Sequence, residues 1–274
     1  MLYSILMGGL GNQLFQVANG ISLSIKYNMD IVFSYSDKKN YSDSIFKYII
    51  QKKGQIQYPV KVYNEPEFIY NEIIIQDTDD TIILGLYQSD KYFSMYNDII
   101  IDLFLRFKNE TIIKNTLNCI YRDINNDSKN ISLHFRRGDY LQQQNIHPVL
   151  SSEYYINALK KLSELLNIDD TELRKEYVLI IFSDDLHWCK NLDFLKKYKC
   201  YFIDLDIPNI NYNDLLELYL MSMCTHNIIA NSSFSWWASY LNLHKTKKVI
   251  APKKWFGVDG IKKHNIYTNF MTIM

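Results

Sequence analysis

"ISLHFRRGDY", residues 131–140, decides the fold. Five residues of mostly apolar chain run directly into Arg136, Arg137, Gly138, Asp139 and Tyr140. A run that short reads as a strand, with Ile131, Leu133 and Phe135 on one face and His134 and Arg136 on the other. The same arrangement recurs downstream. "YVLIIF" ends in Ser183, Asp184 and Asp185; "HNIIA" ends in Asn231, Ser232 and Ser233; "KKVIA" ends in Pro252, Lys253 and Lys254. "CYFID" adds a strand at 200–204, and helical patterns intervene at about 152–166, 186–197 and 212–224. Strands alternating with helices build a parallel sheet, and such sheets bind ligands at the carboxyl ends of their strands. Four polar strand ends in one half of the chain describe a site.

The first half has the same organisation. Its strands are "LYSILM", "IVFSYS", "VKVYN" and "TIILGLY", and between the first two Leu14, Ala18, Ile21 and Ile25 recur at helical spacing. The polar patch "RDINNDSKN" (122–130) interrupts the pattern, so the sequence predicts domains at 1–128 and 129–274. The fold class is α/β, with two Rossmann-like domains facing a cleft.

Composition limits the alternatives. The chain has 274 residues and a formal net charge of zero, so no global field argues for nucleic acid or a membrane surface. No window of about 18 uncharged apolar residues appears and no secretory signal precedes the first strand, which predicts a cytoplasmic protein, at most peripheral to a membrane. Cys119, Cys189, Cys200 and Cys224 lie far apart in or beside apolar sequence, and read as reduced core thiols without metal spacing.

The opening "MGGLGNQLFQVANG" (7–20) resembles the start of a dinucleotide loop. Gly9 and Gly11 supply a G-x-G, but Leu14 stands where the third glycine belongs. Asp30 precedes the second strand instead of ending it, so a ribose contact is misplaced and NAD is excluded.

The second half favours an anion. A guanidinium at Arg136 suits a bidentate phosphate contact. Ser232 or Ser233 can cap the following helix, whose free N–H groups favour a phosphate. Trp236, Trp237, Tyr240 and Leu241 then follow at core spacing. The tripeptide Arg137-Gly138-Asp139 is a strand end in this reading, not an adhesion motif.

"GGLGNQLFQ", "GLYQSDKYF" (85–93), "HFRRGDY", "FSDD" (182–185), "ELYLMSMCTHNIIANSSFSWWASYLN" (217–242) and "VIAPKKWF" (249–256) together resemble the α-1,2-fucosyltransferase family, glycosyltransferase family 11. The resemblance spans essentially the whole chain. It implies a GT-B type fold, with GDP-fucose held by the C-terminal domain and the acceptor sugar by the N-terminal one. It implies an inverting transfer to the 2-hydroxyl of a galactose-type unit, on an oligosaccharide or glycolipid-type acceptor, with no cofactor and no metal. Donor contacts fall to His134, Arg136, Arg137, Asp184, Glu217, Asn231, Ser232, Ser233 and Phe234. Gly9, Gly11, Asn12, Gln13, Tyr87 and Gln88 fall on the acceptor side, in a loop at the cleft. Glu217 stands where the family more often has aspartate, and its carboxylate would accept the guanine N–H donors.

The catalytic candidates are Arg136, which would stabilise the departing diphosphate, and Asp139 or His147 as the group that takes the acceptor proton. Asp139 alternatively braces an arginine. "DTDD" (77–80) contains a D-x-D but precedes a strand in the first domain, so it reads as an exposed turn. Two alternatives stay open: the same scaffold transferring another nucleotide-activated sugar or using another hydroxyl, and a catalytically silent sugar-binding module.

Overall fold

Apolar five-residue runs and an 18-residue helix set the first sheet. The computed structural model describes residues 1–36, 40–49, 60–76, 80–124, 129–207 and 212–274. Strand β1 (Leu2–Leu6) leads into α1 (Leu10–Tyr27), and β2 (Ile31–Tyr35), β3 (Lys61–Asn64) and β4 (Thr81–Leu84) complete a parallel sheet in the order β2-β1-β4-β3. Tyr3, Val32 and Ile82 form a core on one face of it. Helix α1 is buried almost all round from Leu10 to Leu23, whereas Ile25 is exposed, so the predicted stripe ends one turn early. A helix that the sequence pattern did not mark, α2 (Asn97–Arg106), closes this unit, which comprises Met1–Glu110 and Lys263–Thr268.

The second unit comprises Thr111–Lys262 and Asn269–Met274. It begins with α3 (Thr111–Ile124), which the sequence boundary at 128/129 assigns to the first domain; residues 125–128 of that polar patch lie outside the described residues. The Tyr121 hydroxyl of α3 donates to the Met223 carbonyl, a contact within the second unit. Then come β5 (Lys129–Phe135), α4 (Ser152–Leu166), α5 (Asp170–Glu176), β6 (Tyr177–Ser183), α6 (Leu186–Lys190), β7 (Cys200–Phe202), α7 (Asn213–Met223), β8 (His226–Ile228), α8 (Ser233–Tyr240), β9 (Val249–Ala251) and β10 (Met271–Ile273). All six strands are parallel, and their order, β7-β6-β5-β8-β9-β10, is the Rossmann order.

Alternation sorts the faces of β5 as predicted. Ile131, Leu133 and Phe135 join Leu179, Ile181 and Ile228 in a core covered by Tyr155, Ala158, Leu159 and Leu162 of α4. On the opposite face Ser132 accepts from the Asn227 amide at 2.7 Å, and the His134 ring lies 5.6 Å from that of Phe234. Trp236 and Trp237 are fully buried, and Trp236 stacks on Tyr240.

Three further expectations change. The predicted helix at 186–197 stops at Lys190, because the Asn191 amide donates to the His187 carbonyl and a short 3-10 turn resumes only at Leu195. The "TIILGLY" strand ends at Leu84 because Tyr87 turns to a φ of 52°. Cys119 is exposed on α3, whereas Cys189 and Cys224 are buried and all four thiols are free.

Candidate active site

The strand order of the second unit fixes where its site belongs. The chain runs from β5 to β7 on one side and from β8 to β10 on the other, so the crevice opens at the carboxyl ends of β5 and β8. Arg136 leaves the first of these strands and Ser232 follows the second.

Arg136 is one-third exposed and held from two sides. One terminal nitrogen donates to Asp139 at 2.6 Å and the other lies 2.9 Å from Asp184, while the guanidinium sits 5.1 Å from the Tyr140 ring centre. A guanidinium carries five N–H donors, so two carboxylates orient it without using it up. Arg137 points elsewhere: its Nε donates to Asp185 at 3.0 Å and its guanidinium stacks 3.8 Å over Trp188. The Arg137 backbone N–H donates to Asp184, and a Cβ on Gly138 would come within 2.6 Å of that carboxylate. Only glycine lets the turn close so tightly on Asp184.

Ser232 caps α8, accepting from the Phe234 N–H at 3.3 Å, which directs the helix N-terminus to the end of β8. Asn231 is buried and works inward, donating to the Pro148 and Trp255 carbonyls at 3.0 Å each. His134 is buried, and burial together with Arg136 pushes its pKa down to about 3, so it is neutral. His147 stacks on Tyr140 at 4.8 Å, and burial lowers its pKa as well, so its imidazole is a neutral base at pH 7. Burial, with Asp214, Asp204 and Asp184 adding repulsion, pushes the Glu217 carboxyl of α7 up to about 7. Lys253 and Lys254 are exposed beyond β9.

The first unit has its own strand-end cluster, in which side-chain amides tie the loops together. Gly8 takes a φ of 76° after β1, and the buried Gln13 amide donates back to its carbonyl at 2.9 Å. The buried Gln16 accepts from Met7 N–H at 2.9 Å and donates to the Gly85 carbonyl at 3.1 Å, tying the loop after β1 to the loop after β4. Gln88 then donates to the side-chain amide oxygen of Asn12 at 2.8 Å. Asn12 and Gln88 are thus brought together. Gln13 and Tyr87 are instead turned inward, and Tyr87 is fully buried. Gly9 is exposed, and a Cβ there would meet nothing within 4 Å.

Two residues that sequence reasoning passed over hold this loop. Glu65 accepts from the Leu86 and Tyr87 N–H groups at 2.8 and 2.9 Å, which sustains the left-handed backbone at Tyr87. Gln16 is the other. No motif marks either; a buried glutamine repeated three residues after Gln13 in a helix was the available signal. Asp80 of "DTDD" accepts from the N-terminal amine at the opposite, amino end of the sheet, while residues 77–79 lie outside the described residues.

Residues 1–270 match the sequence profile of glycosyl transferase family 11. The chain belongs to glycosyl transferase family 11. This family 11 chain is an enzyme, a glycosyltransferase that uses a nucleotide-activated sugar. It is 29% identical to an α-1,2-colitosyltransferase of Escherichia coli, over 92% of this chain and 91% of that protein. It is 28% identical to the O-antigen biosynthesis glycosyltransferase WbnK of Escherichia coli, over 96% and 97%. Among solved structures it resembles the Bradyrhizobium NodZ α-1,6-fucosyltransferase soaked with GDP-fucose, with a TM-score of 0.52 and 14% identity over 88% of this chain and 91% of that one. That likeness is one of fold, the two-sheet GT-B type. Among the described residues no helix is long and apolar enough to cross a membrane.

Proposed function

We propose that this family 11 glycosyltransferase moves L-fucose from GDP-β-L-fucose to the 2-hydroxyl of a galactose-type unit on an oligosaccharide or glycolipid-type acceptor, with inversion and without a metal. The observation that carries the reading is Arg136 at the end of β5 beside the capped N-terminus of α8, at the crevice of a Rossmann-ordered sheet. The solved relative soaked with GDP-fucose supports the donor.

The acceptor oxygen attacks the anomeric carbon as the bond to the β-phosphate oxygen breaks, and the electron pair of that bond leaves with GDP. Negative charge therefore grows on the diphosphate. Arg136, held by Asp139 and Asp184, and the positive end of the α8 dipole stabilise it as it grows. Ser232 caps that helix and fixes where its N-terminus points. Glu217, when ionised, accepts the guanine N1–H and N2–H. Arg137 and Asn231 shape the turn and the loops around the donor.

The acceptor proton goes to His147, whose neutral ring is able to accept it. Asp139 already accepts from Arg136, and its part is to hold that arginine. On the acceptor side Asn12 and Gln88 offer amides to sugar hydroxyls, and the exposed Gly9 carries no side chain to obstruct them, whereas Gly11, expected in the loop, is buried within α1.

The named relative that transfers colitose favours a second reading, in which the same site takes a different sugar. Both are tested by incubating the protein with GDP-fucose and a panel of β-galactoside disaccharides in EDTA, measuring GDP and locating the new linkage by NMR. Acceptor-dependent GDP release with an α-1,2 linkage is expected, and His147→Ala should slow it by about 10²–10⁴-fold while Asp139→Asn loses about tenfold or less. Release only with another GDP-sugar selects the second reading. Bound donor with no transfer to any member of the panel overturns the galactose-type acceptor.

A further inference from the structure

Helix α1 carries a second feature, away from its loop end. Asn19, Ser22, Leu23 and Lys26 share one face of the helix and form one wall of a pocket of about 150 Å³. Tyr70, Glu72 and Ile73 form another wall, and Lys91, Tyr92, Met95 and Tyr96 close it. All of these residues belong to the first unit. Residues 19–26 lie seven to fourteen positions beyond Asn12, roughly 10–20 Å along the helix axis, so this is not the strand-end loop.

The wall is polar where a core helix should be apolar. Asn19 is fully buried, and neither its amide nitrogen nor its carbonyl oxygen has a hydrogen-bond partner; the Ser22 hydroxyl has none either. Leaving such groups unmet is costly, and a site this size far exceeds the ~10–15 Å³ that one water needs. The other walls add complementary chemistry. Lys26 and Glu72 pair at 2.8 Å at the edge, presenting a donor and an acceptor side by side. Tyr70 packs edge-on against Tyr92 at 5.0 Å, and Tyr96 contributes a further ring.

We propose that this pocket is a saccharide-binding site that takes one pyranose unit of a glycan. An amide that both donates and accepts, a hydroxyl, and an adjacent cation–carboxylate pair match the hydroxyls around a sugar ring. Tyrosine faces suit its C–H surface. Its place in catalysis, holding a longer acceptor by a unit remote from the reacting one, rests on the proposed transfer reaction; the binding itself does not. A second weak contact on a tethered chain raises the effective concentration of the reacting end.

The test is the side-chain amide of Asn19 itself. In protein labelled with ¹⁵N at asparagine and saturated with GDP, titration with N-acetyllactosamine should shift the Asn19 resonance and saturate at about millimolar concentration. Asn12→Ala should leave that shift in place. Asn19→Leu, which removes unpartnered polar atoms at similar volume, should fold normally, and so should Ser22→Ala. Both should weaken binding at the pocket, read from the remaining resonances of its asparagine neighbour Asn71, and Asn19→Leu should do so by about tenfold. An Asn19 resonance that stays still, or that moves as much with glycerol at the same concentration, overturns the proposal and leaves an adventitious additive only. The catalytic role is read separately. Asn19→Leu should raise KM for oligosaccharide acceptors of several units and leave that for a disaccharide unchanged; equal effects on both overturn the docking role while the NMR result stands, whichever sugar is transferred.

Discussion

The two strand-end clusters use opposite chemistry. After β5 and β6 the second unit sets Arg136, Arg137, Asp139, Asp184 and Asp185 in ion pairs of 2.6–3.0 Å. After β1 and β4 the first unit sets Gln13, Gln16, Asn12 and Gln88 in amide contacts of 2.8–3.1 Å, with no ion pair among these four. A fixed guanidinium answers a charge that appears during a reaction, whereas amides answer hydroxyls that stay neutral throughout. Under the proposed function, the difference matches an anionic donor in the second unit and an uncharged acceptor in the first.

The sharpest way to break that contrast lies within the charged cluster, where two adjacent arginines have different neighbours. Arg136→Ala should lower kcat/KM by about 10²–10³-fold with little change in melting temperature, the loss characteristic of a group that stabilises developing negative charge. Arg137 is only 15% exposed, paired with Asp185 and stacked on Trp188. Arg137→Ala should instead cost about 1–2 kcal/mol of stability, read by denaturant unfolding. Equal kinetic losses for both would show that the turn as a whole, not one guanidinium, does the work.

How much of this was legible beforehand follows the physics of each signal. Alternation along β5 and the cap before α8 are local, and both were readable in "ISLHFRR" and "NSSFSWW". The strand-end clustering was readable too, because parallel sheets place ligands there by topology. What a run of residues cannot display is which arginine faces outward: Arg136 and Arg137 are adjacent, and only Asp185 and Trp188, some fifty positions away, separate their fates. Glu65 was hidden for the same reason, since its partners at Leu86 and Tyr87 follow the neighbouring strand, 21 and 22 positions on. The exposed face of α3 misled because Cys119 sits among apolar residues in sequence yet on the solvent side of the helix.

Glu217 offers a pH test of the donor side with two opposite signs. Its folded pKa of about 7 lies above the ordinary carboxylate range, so the folded state loses stability as pH rises through that range to about 7. Glu217→Gln should therefore melt higher than wild type at pH 8 and alike at pH 4. Donor binding should run the other way, because a protonated carboxyl cannot accept both guanine N–H donors. The ionised fraction grows about tenfold between pH 6 and pH 8, so KM for GDP-fucose should fall by about that factor. In Glu217→Gln that slope should vanish. A wild-type profile already flat across this window would detach Glu217 from the base.

The smallest expected effect belongs to the amide cluster. Gln88 donates to Asn12 and is half-buried, whereas Gln16 is fully buried and joins two loops. Gln88→Ala removes one neutral hydrogen bond at an accessible rim, worth about 0.5–1.5 kcal/mol, so kcat/KM for the acceptor should fall by about twofold to tenfold. KM for the donor should not move, and neither should the melting temperature. Gln16→Ala leaves the Met7 N–H and the Gly85 carbonyl without their partner, and its loss should appear first in stability. If Gln88→Ala instead raised KM for GDP-fucose, the neutral cluster would touch the donor, and the division between a charged donor rim and an amide acceptor rim would fail at the residue where it is easiest to measure.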